Sequence, residues 1–170
     1  MAGFDAEPAD FLEFANACSG RLFRTAWLLC GDWHLAEDLV QTTLGKLYRA
    51  WKRVSRADSP EAYARTVLTR TYLSHRRRLS STEQPYAALP EVSAVHEDDQ
   101  ALRVTLLESL AELPPKDRAV LVLRYWEDLS VEQTARQMGV SEGAVRSRSM
   151  RALEKLRNVL GSDASWLSAA

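Results

Sequence analysis

The chain is predicted to be all-α, with two small helical domains joined by a flexible acidic linker and a helix-turn-helix in the second. Three observations carry this expectation. No strand pattern stands out, whereas apolar residues recur at helical spacing through most of the 170 residues. Charge is partitioned: residues 1–78 are net basic, residues 79–100 hold acids and no lysine or arginine, and the remainder is slightly basic. Residues 129–157, LSVEQTARQMGVSEGAVRSRSMRALEKLR, read as two capped helices around a glycine. The formal net charge of −1 argues against a general nucleic-acid coat. Two basic modules separated by an acidic connector can nonetheless bind DNA despite a neutral sum.

The first helix runs from about Asp10 to Cys30, with Phe11, Phe14, Cys18, Leu22, Ala26 and Leu29 at helical spacing. Gly31 and Asp32 break it, and Asp32 caps a second helix, Trp33 to Trp51. The apolar stripe of that helix is Leu35, Leu39, Val40, Leu44, Leu47, Tyr48 and Trp51. Its outward face carries Asp38, Gln41, Thr42 and Gly45, and Lys46, Arg49, Lys52, Arg53 and Arg56 form an acid-free run at its end. Ser59-Pro60-Glu61 opens a third helix with a cap, a proline at the first helical position and an acid in the first turn. That helix continues to about Arg78, and its closing Arg76-Arg77-Arg78 suits the dipole of a last turn.

Residues 79–99 read as the linker, with Ser80, Ser81 and Thr82, then Pro85 and Pro90, then the acidic run Glu97-Asp98-Asp99. His96 beside those acids raises a metal site, but a solvated hinge is the preferred reading. Helix resumes near Gln100, with Leu102, Leu106, Leu110 and Leu113 in register. Pro114-Pro115 separates it from a heavily apolar helix at about Lys116 to Trp126. Gly161 marks the end of the last helix, and the remaining tail is expected to fray.

The helix-turn-helix follows from local chemistry. Ser130 and Gln133 form a capping box for a short helix, Val131 to Met138. Gly139 can take the left-handed conformation that ends it. Ser141 caps a second helix from Glu142, and Ala135 is small where the two must approach. Val140 and Val145 are apolar where the pair must pack on the rest of the domain, and Leu153 is also read as core. From Arg146 onward the second helix carries Arg146, Arg148, Arg151, Lys155 and Arg157 against a single acid, Glu154. A basic helix held at an angle by a glycine turn is the geometry that enters a DNA major groove.

Other classes are disfavoured. The two cysteines, Cys18 and Cys30, fall on one predicted helix about 18 Å apart, too far for a disulfide. With His34 they match no common zinc pattern, so they read as small buried residues. No nucleophile–base pair, phosphate loop or metal quartet is present, so no enzyme activity and no cofactor is expected. No apolar run is long enough to span a membrane, and the acidic N-terminus lacks signal-peptide order. A cytoplasmic location without a membrane partner is therefore expected.

The two halves together resemble the extracytoplasmic-function group of bacterial RNA polymerase sigma factors, of the SigE-like actinobacterial type, over about residues 10 to 160. In the first half the resemblance rests on AEDLVQTTLGKLYRAW (Ala36 to Trp51), then a short loop and PEAYARTVLTRTYLSHRRR. In the second it rests on LAELPPKDRAVLVLRYWEDLSVEQTARQMGVSEGAVRSRSMRALEKLR. The second motif alone is shared in outline with response-regulator output domains, but the ordered pair is more specific. Housekeeping-type relatives carry an additional N-terminal region and a structured middle domain, so the minimal two-domain form is expected.

The resemblance implies roles. Residues 1–78 would be region 2, 79–99 the linker, 100–161 region 4 and 162–170 a tail. Asp38, Gln41, Thr42 and Gly45 would dock on the clamp helices of the largest polymerase subunit, and region 4 would meet the flap of the second largest. Arg53, Arg56, Arg65, Thr69, Arg70, Arg76 and Arg77 would serve the promoter −10 element, with Arg78 a further cation. That task needs a pocket for an extruded base and cations along the separated strand. Tyr63 and Tyr72 fit stacking or core packing equally. Many relatives carry an asparagine near Thr69, which leaves the −10 base reader open. Ser141, Arg146, Ser147, Met150 and Arg151 would meet the −35 element, and which arginine reads a base or holds phosphate stays open. Core polymerase and promoter DNA are the implied partners, with an anti-sigma factor as a further candidate. The alternative is a free-standing helix-turn-helix regulator, which would leave the first half without a task.

Overall fold

The computed structural model describes residues 8–81 and 97–161, all helix and connecting turns without a strand among them. Residues 1–7, most of the expected linker (82–96, with His96) and the expected frayed tail (162–170) lie outside the described residues. The helices are α1 (Pro8–Cys30), α2 (Trp33–Arg49), α3 (Trp51–Val54), α4 (Pro60–Ser81), α5 (Glu97–Ala111), α6 (Pro115–Leu121), α7 (Val131–Met138) and α8 (Glu142–Leu160). A π-helical turn, Val122–Trp126, continues α6.

The expected caps are in place. Asp32 accepts from the Leu35 amide at 2.8 Å at the start of α2. Ser130 and Gln133 close the capping box of α7, with bonds of 3.0 and 2.8 Å. Gly139 ends α7 at φ +66°, and Ser141 accepts from the Ala144 amide at 3.1 Å to start α8. Boundaries differ in four places. The second helix stops at Arg49, and Trp51 begins the separate short α3. Helix α4 runs on to Ser81 and α5 begins at Glu97, so the linker is shorter at both ends than its composition indicates. The helix expected from Lys116 to Trp126 widens into the π turn after Leu121.

In the first half α1, α2 and α4 pack through Phe11, Leu22, Leu29, Leu39, Leu47, Leu68 and Tyr72. Cys18 and Cys30 are buried within this core, and neither forms a disulfide. Burial pushes the Cys30 thiol up to about 11, and desolvation also raises Cys18. Tyr48 departs from its expected place in the stripe: it is 54% exposed, its ring edge-on to Phe11 at 5.1 Å between centroids. In the second half Leu110, Leu113 and Leu121 meet Ala152 and Leu156, while Val120, Ala135 and Val145 seat the helix-turn-helix. The halves do not stand apart. Ala119 and Val122 join the first-half core, and Leu28 packs against the second-half cluster.

Candidate nucleic-acid interface

The outward face of α2 is as expected from its spacing. Asp38, Gln41, Thr42 and Gly45 are all exposed, and at about 100° per residue they share one contiguous arc. A Cβ on Gly45 would meet nothing within 4 Å, so the arc is flat there. Two large aromatics on the exposed side of the same helix were not among the candidates: Trp33, 49% exposed, and Tyr48. Trp33 is an open reading from sequence because it lies in the first turn, where helical period says little about burial. Tyr48 falls at the edge of the apolar stripe, where a one-position rotation decides between core and solvent. Lys46 donates to Thr71 Oγ1 at 2.9 Å and ties α2 to α4, so this cation is partly structural.

Between α3 and α4 lies an open pocket of about 530 Å³ lined by Lys52, Arg53, Arg56, Ala57 and Tyr63. The Arg53 guanidinium lies 5.6 Å from the Tyr63 ring centroid and donates to its hydroxyl. A pocket with three cations and an aromatic wall suits a flat anionic ligand such as a nucleotide. The two tyrosines left open by the sequence separate here. Tyr72 is 2% exposed and belongs to the core, whereas Tyr63 lines the pocket.

Helix α4 divides the remaining −10 candidates between two faces. Arg70 and Arg77 are exposed, with Arg77 donating to Ser74 Oγ at 3.2 Å. Arg78 is also exposed and Arg76 is half-buried. Arg65 and Thr69, four residues apart on one face, are turned toward the second half instead. Arg65 Nε pairs with Glu127 at 2.8 Å, with its side chain only 15% exposed. Thr69 is fully buried, donates to the Arg65 carbonyl at 3.0 Å and accepts from Gln137 Nε2 at 3.1 Å. In this arrangement neither is on a surface that a DNA strand can reach.

On α8 the cations also divide. Arg146, Ser147, Met150 and Arg151 are exposed on one broad face, Met150 to 70%. Ser141 is exposed at its start, with its hydroxyl engaged as the cap. Arg146 pairs with Glu142 at 2.8 Å. Both side chains are largely exposed, so this pair is weak and yields readily to a stronger anion. Arg148 is different. It reaches back to Asp117 on α6 at 2.6 Å, with side-chain exposures of 25% and 10%. Lys155 donates to the Glu112 carbonyl at 2.5 Å. Two of the five cations counted as a basic face therefore brace the helix against α6 and the junction between α5 and α6. Val145 is buried and Leu153 packs against the core, as expected.

Comparison with known proteins agrees with this architecture. The Sigma-70 region 2 family matches residues 14–82, and the Sigma-70, region 4 family matches residues 103–156. The RNA polymerase sigma-E factor of Streptomyces avermitilis is 37% identical over 157 residues, covering 92% of this chain and 88% of that protein. The ECF RNA polymerase sigma factor SigL of Mycobacterium tuberculosis is 35% identical over 150 residues, 82% of each chain. Among solved structures, the sigma factor RpoE of Bartonella quintana, in complex with the anti-sigma factor NepR, shares the fold. Its TM-score is 0.72 at 24% identity, over 91% of this chain and 98% of that one.

The chain belongs to the extracytoplasmic-function sigma factors of RNA polymerase, of the SigE-like actinobacterial type. It is an alternative sigma factor that directs core RNA polymerase in promoter recognition and transcription initiation, and sigma factors are initiation factors rather than enzymes. The free-standing regulator is not favoured, because region 2 matches in its own right. Among the described residues no helix is long and apolar enough to cross a membrane.

Proposed function

We propose that three surfaces divide the work of initiation. The α2 arc of Asp38, Gln41, Thr42 and Gly45, extended by Trp33 and Tyr48, docks on the clamp helices of the largest polymerase subunit. The Arg53–Tyr63 pocket takes an extruded base of the −10 element, with Arg56, Arg70 and Arg77 following the strand. The exposed face of α8 reads the −35 element through Arg146, Ser147, Met150 and Arg151, with Ser141 at a phosphate, while region 4 also meets the flap of the second-largest subunit. Residues 1–78 and 100–161 serve as the two functional units, with 79–99 as their connector. The protein works in the cytoplasm, where polymerase and promoters are, and an anti-sigma factor belongs among its partners.

The observation that carries this reading is the sorting of cations. Arg148 and Lys155 are committed to partners on other elements, whereas Arg146, in an exposed pair with Glu142 of its own helix, and Arg151 stay on an open helix face preceded by a capped turn. Run-off transcription with purified core polymerase on a genomic promoter library tests it, returning two spaced elements for the wild type. Asp38→Arg with Gln41→Ala should leave melting within about 0.5 kcal/mol of wild type. It should lower core affinity strongly, because a reversed charge in an interface repels. Unchanged core binding removes the α2 assignment.

A further inference from the structure

The leading turn of α8 carries an acid where the helix meets a polyanion. Glu142 is the first residue of α8, directly after the Ser141 cap. Residues at the N-terminal end of such a helix are the ones that reach base edges in a major groove. The Glu142 Oε2 accepts from Arg146 Nη2 at 2.8 Å, one turn along, with side-chain exposures of 47% for the acid and 62% for the arginine. Gly143 beside the acid is exposed, and a Cβ there would meet only Ser141 Oγ, at 3.9 Å. The leading turn is therefore narrow next to the pair.

The other surroundings of Arg146 are positive or apolar. It lines an open pocket of about 350 Å³ together with Arg124, Tyr125, Leu153 and Arg157, and no acid lines that pocket. Arg124 is itself engaged: it donates to the Leu129 carbonyl, and its guanidinium lies 5.8 Å from the Tyr125 ring centroid. Like charge in the pocket and opposite charge on Glu142 together draw the Arg146 guanidinium toward the leading end of the helix. An acid placed four residues before its cation is also the better of the two orders on a helix. An acid in a first turn suits the helix dipole as well, a service that the shorter aspartate performs equally. Only the length of glutamate explains the reach to Arg146.

We propose that Glu142 sets −35 specificity as a positioning residue for Arg146. This rests on the reading of Arg146 as a −35 contact. A guanidinium carries five N–H donors, and Glu142 engages one end of the fork. The donors left over still match the O6 and N7 of a guanine. A phosphate offers the same arginine a second resting place that carries no sequence information. Glu142 weights this choice. It holds the guanidinium on the leading turn, and its own charge repels a phosphate that approaches there. The pair is too exposed to lock the arginine, so it biases the choice by a few-fold and does not dictate it. Loss of the acid therefore raises affinity for DNA at large and lowers discrimination between bases.

The test uses holoenzyme assembled with core polymerase on promoter duplexes that differ at single −35 positions. Glu142→Asp keeps a charge for the helix dipole but is one methylene too short to hold Arg146, and Glu142→Gln keeps the length without the charge. Glu142→Asp should melt with wild type. Both variants should lower preference at the position that Arg146 reads by about threefold or more, while affinity for a duplex without a −35 match rises. The plot of log affinity against log salt should steepen by about 0.9, as Arg146 gains a phosphate. With Arg146→Ala already in place, Glu142→Asp should change preference no further, the mark of action through that arginine. A purely structural role predicts unaltered preference in Glu142→Asp, or an equal loss on all duplexes with earlier melting, and either result overturns the proposal. So does a preference that falls just as far in the Arg146→Ala background. Arg146→Ala alone checks the underlying reading. If it leaves −35 selection intact, that reading falls and the role of Glu142 with it. Selection lost there but kept in both Glu142 variants overturns the positioning role alone.

Discussion

Arg148 and Arg151 lie one turn apart on α8, and opposite phenotypes are expected of them. Arg148→Ala removes the partner of Asp117, a carboxylate whose side chain is 10% exposed, and leaves it buried and unpaired. Breaking a fully buried pair costs ~3–5 kcal/mol. Arg148 keeps a quarter of its exposure, so water can enter the vacated space, and about 2 kcal/mol is the expected loss. For a cooperative unit of this size that lowers the melting temperature by roughly 4–8 °C. Arg151→Ala removes an exposed side chain and should shift stability by less than about 0.5 kcal/mol. Its affinity for a −35 duplex should fall roughly 5- to 150-fold, the equivalent of ~1–3 kcal/mol. Thermal unfolding followed by circular dichroism and DNA binding by fluorescence anisotropy separate the two. Adding Asp117→Ala to Arg148→Ala should recover part of the lost stability, since the orphaned charge disappears. The reasoning fails if Arg148→Ala melts with wild type while Arg151→Ala is the one that unfolds early.

Three other outcomes are expected. Tyr72→Ala, which empties a buried aromatic site, should cost ~3–5 kcal/mol in urea unfolding, whereas Tyr63→Ala should change stability little and weaken −10 strand binding. Gly139→Ala should destabilise the helix-turn-helix by about 1–2 kcal/mol in thermal unfolding, because φ is +66° and an added Cβ meets strain but no clash, while Gly139→Asn should recover part of this. The Cys30 thiol, raised from 9.0 to about 11 by burial, keeps its proton in the folded chain at pH values where the unfolded chain has lost it. Its contribution is thus complete below about pH 9 and falls away as pH rises through about 11. Unfolding midpoints should drop between pH 8 and pH 10.5 in wild type and less so in Cys30→Ala, and iodoacetamide should modify Cys30 slowly at pH 8 until the chain unfolds.

Arg65 and Thr69 resemble DNA-contacting positions by motif, yet here they hold Glu127 and Gln137. The exposed cations, Arg53, Arg56, Arg70 and Arg77, remain available in the same arrangement.

The all-α class, the helix-turn-helix and the caps at Asp32, Ser130, Gly139 and Ser141 were legible in the sequence because each depends on residues within about four positions of one another. Periodicity likewise placed Leu39 and Leu47 in the core, and the packing needs of the helix-turn-helix placed Val145 there. The π turn after Leu121 was not legible, since an apolar run fits either helical ladder. Nor could sequence sort the arginines, because what faces a side chain lies far away along the chain. Arg148 meets Asp117 across 31 positions, Thr69 meets Gln137 across 68 and Arg21 meets Glu127 across 106. Tyr63 and Tyr72 show the same limit on one helix, where only the neighbours of α4 decide which ring is covered. Local hydrogen bonding thus determined which helices form, and tertiary packing, within each half and between the two, decided which of their charges stay exposed.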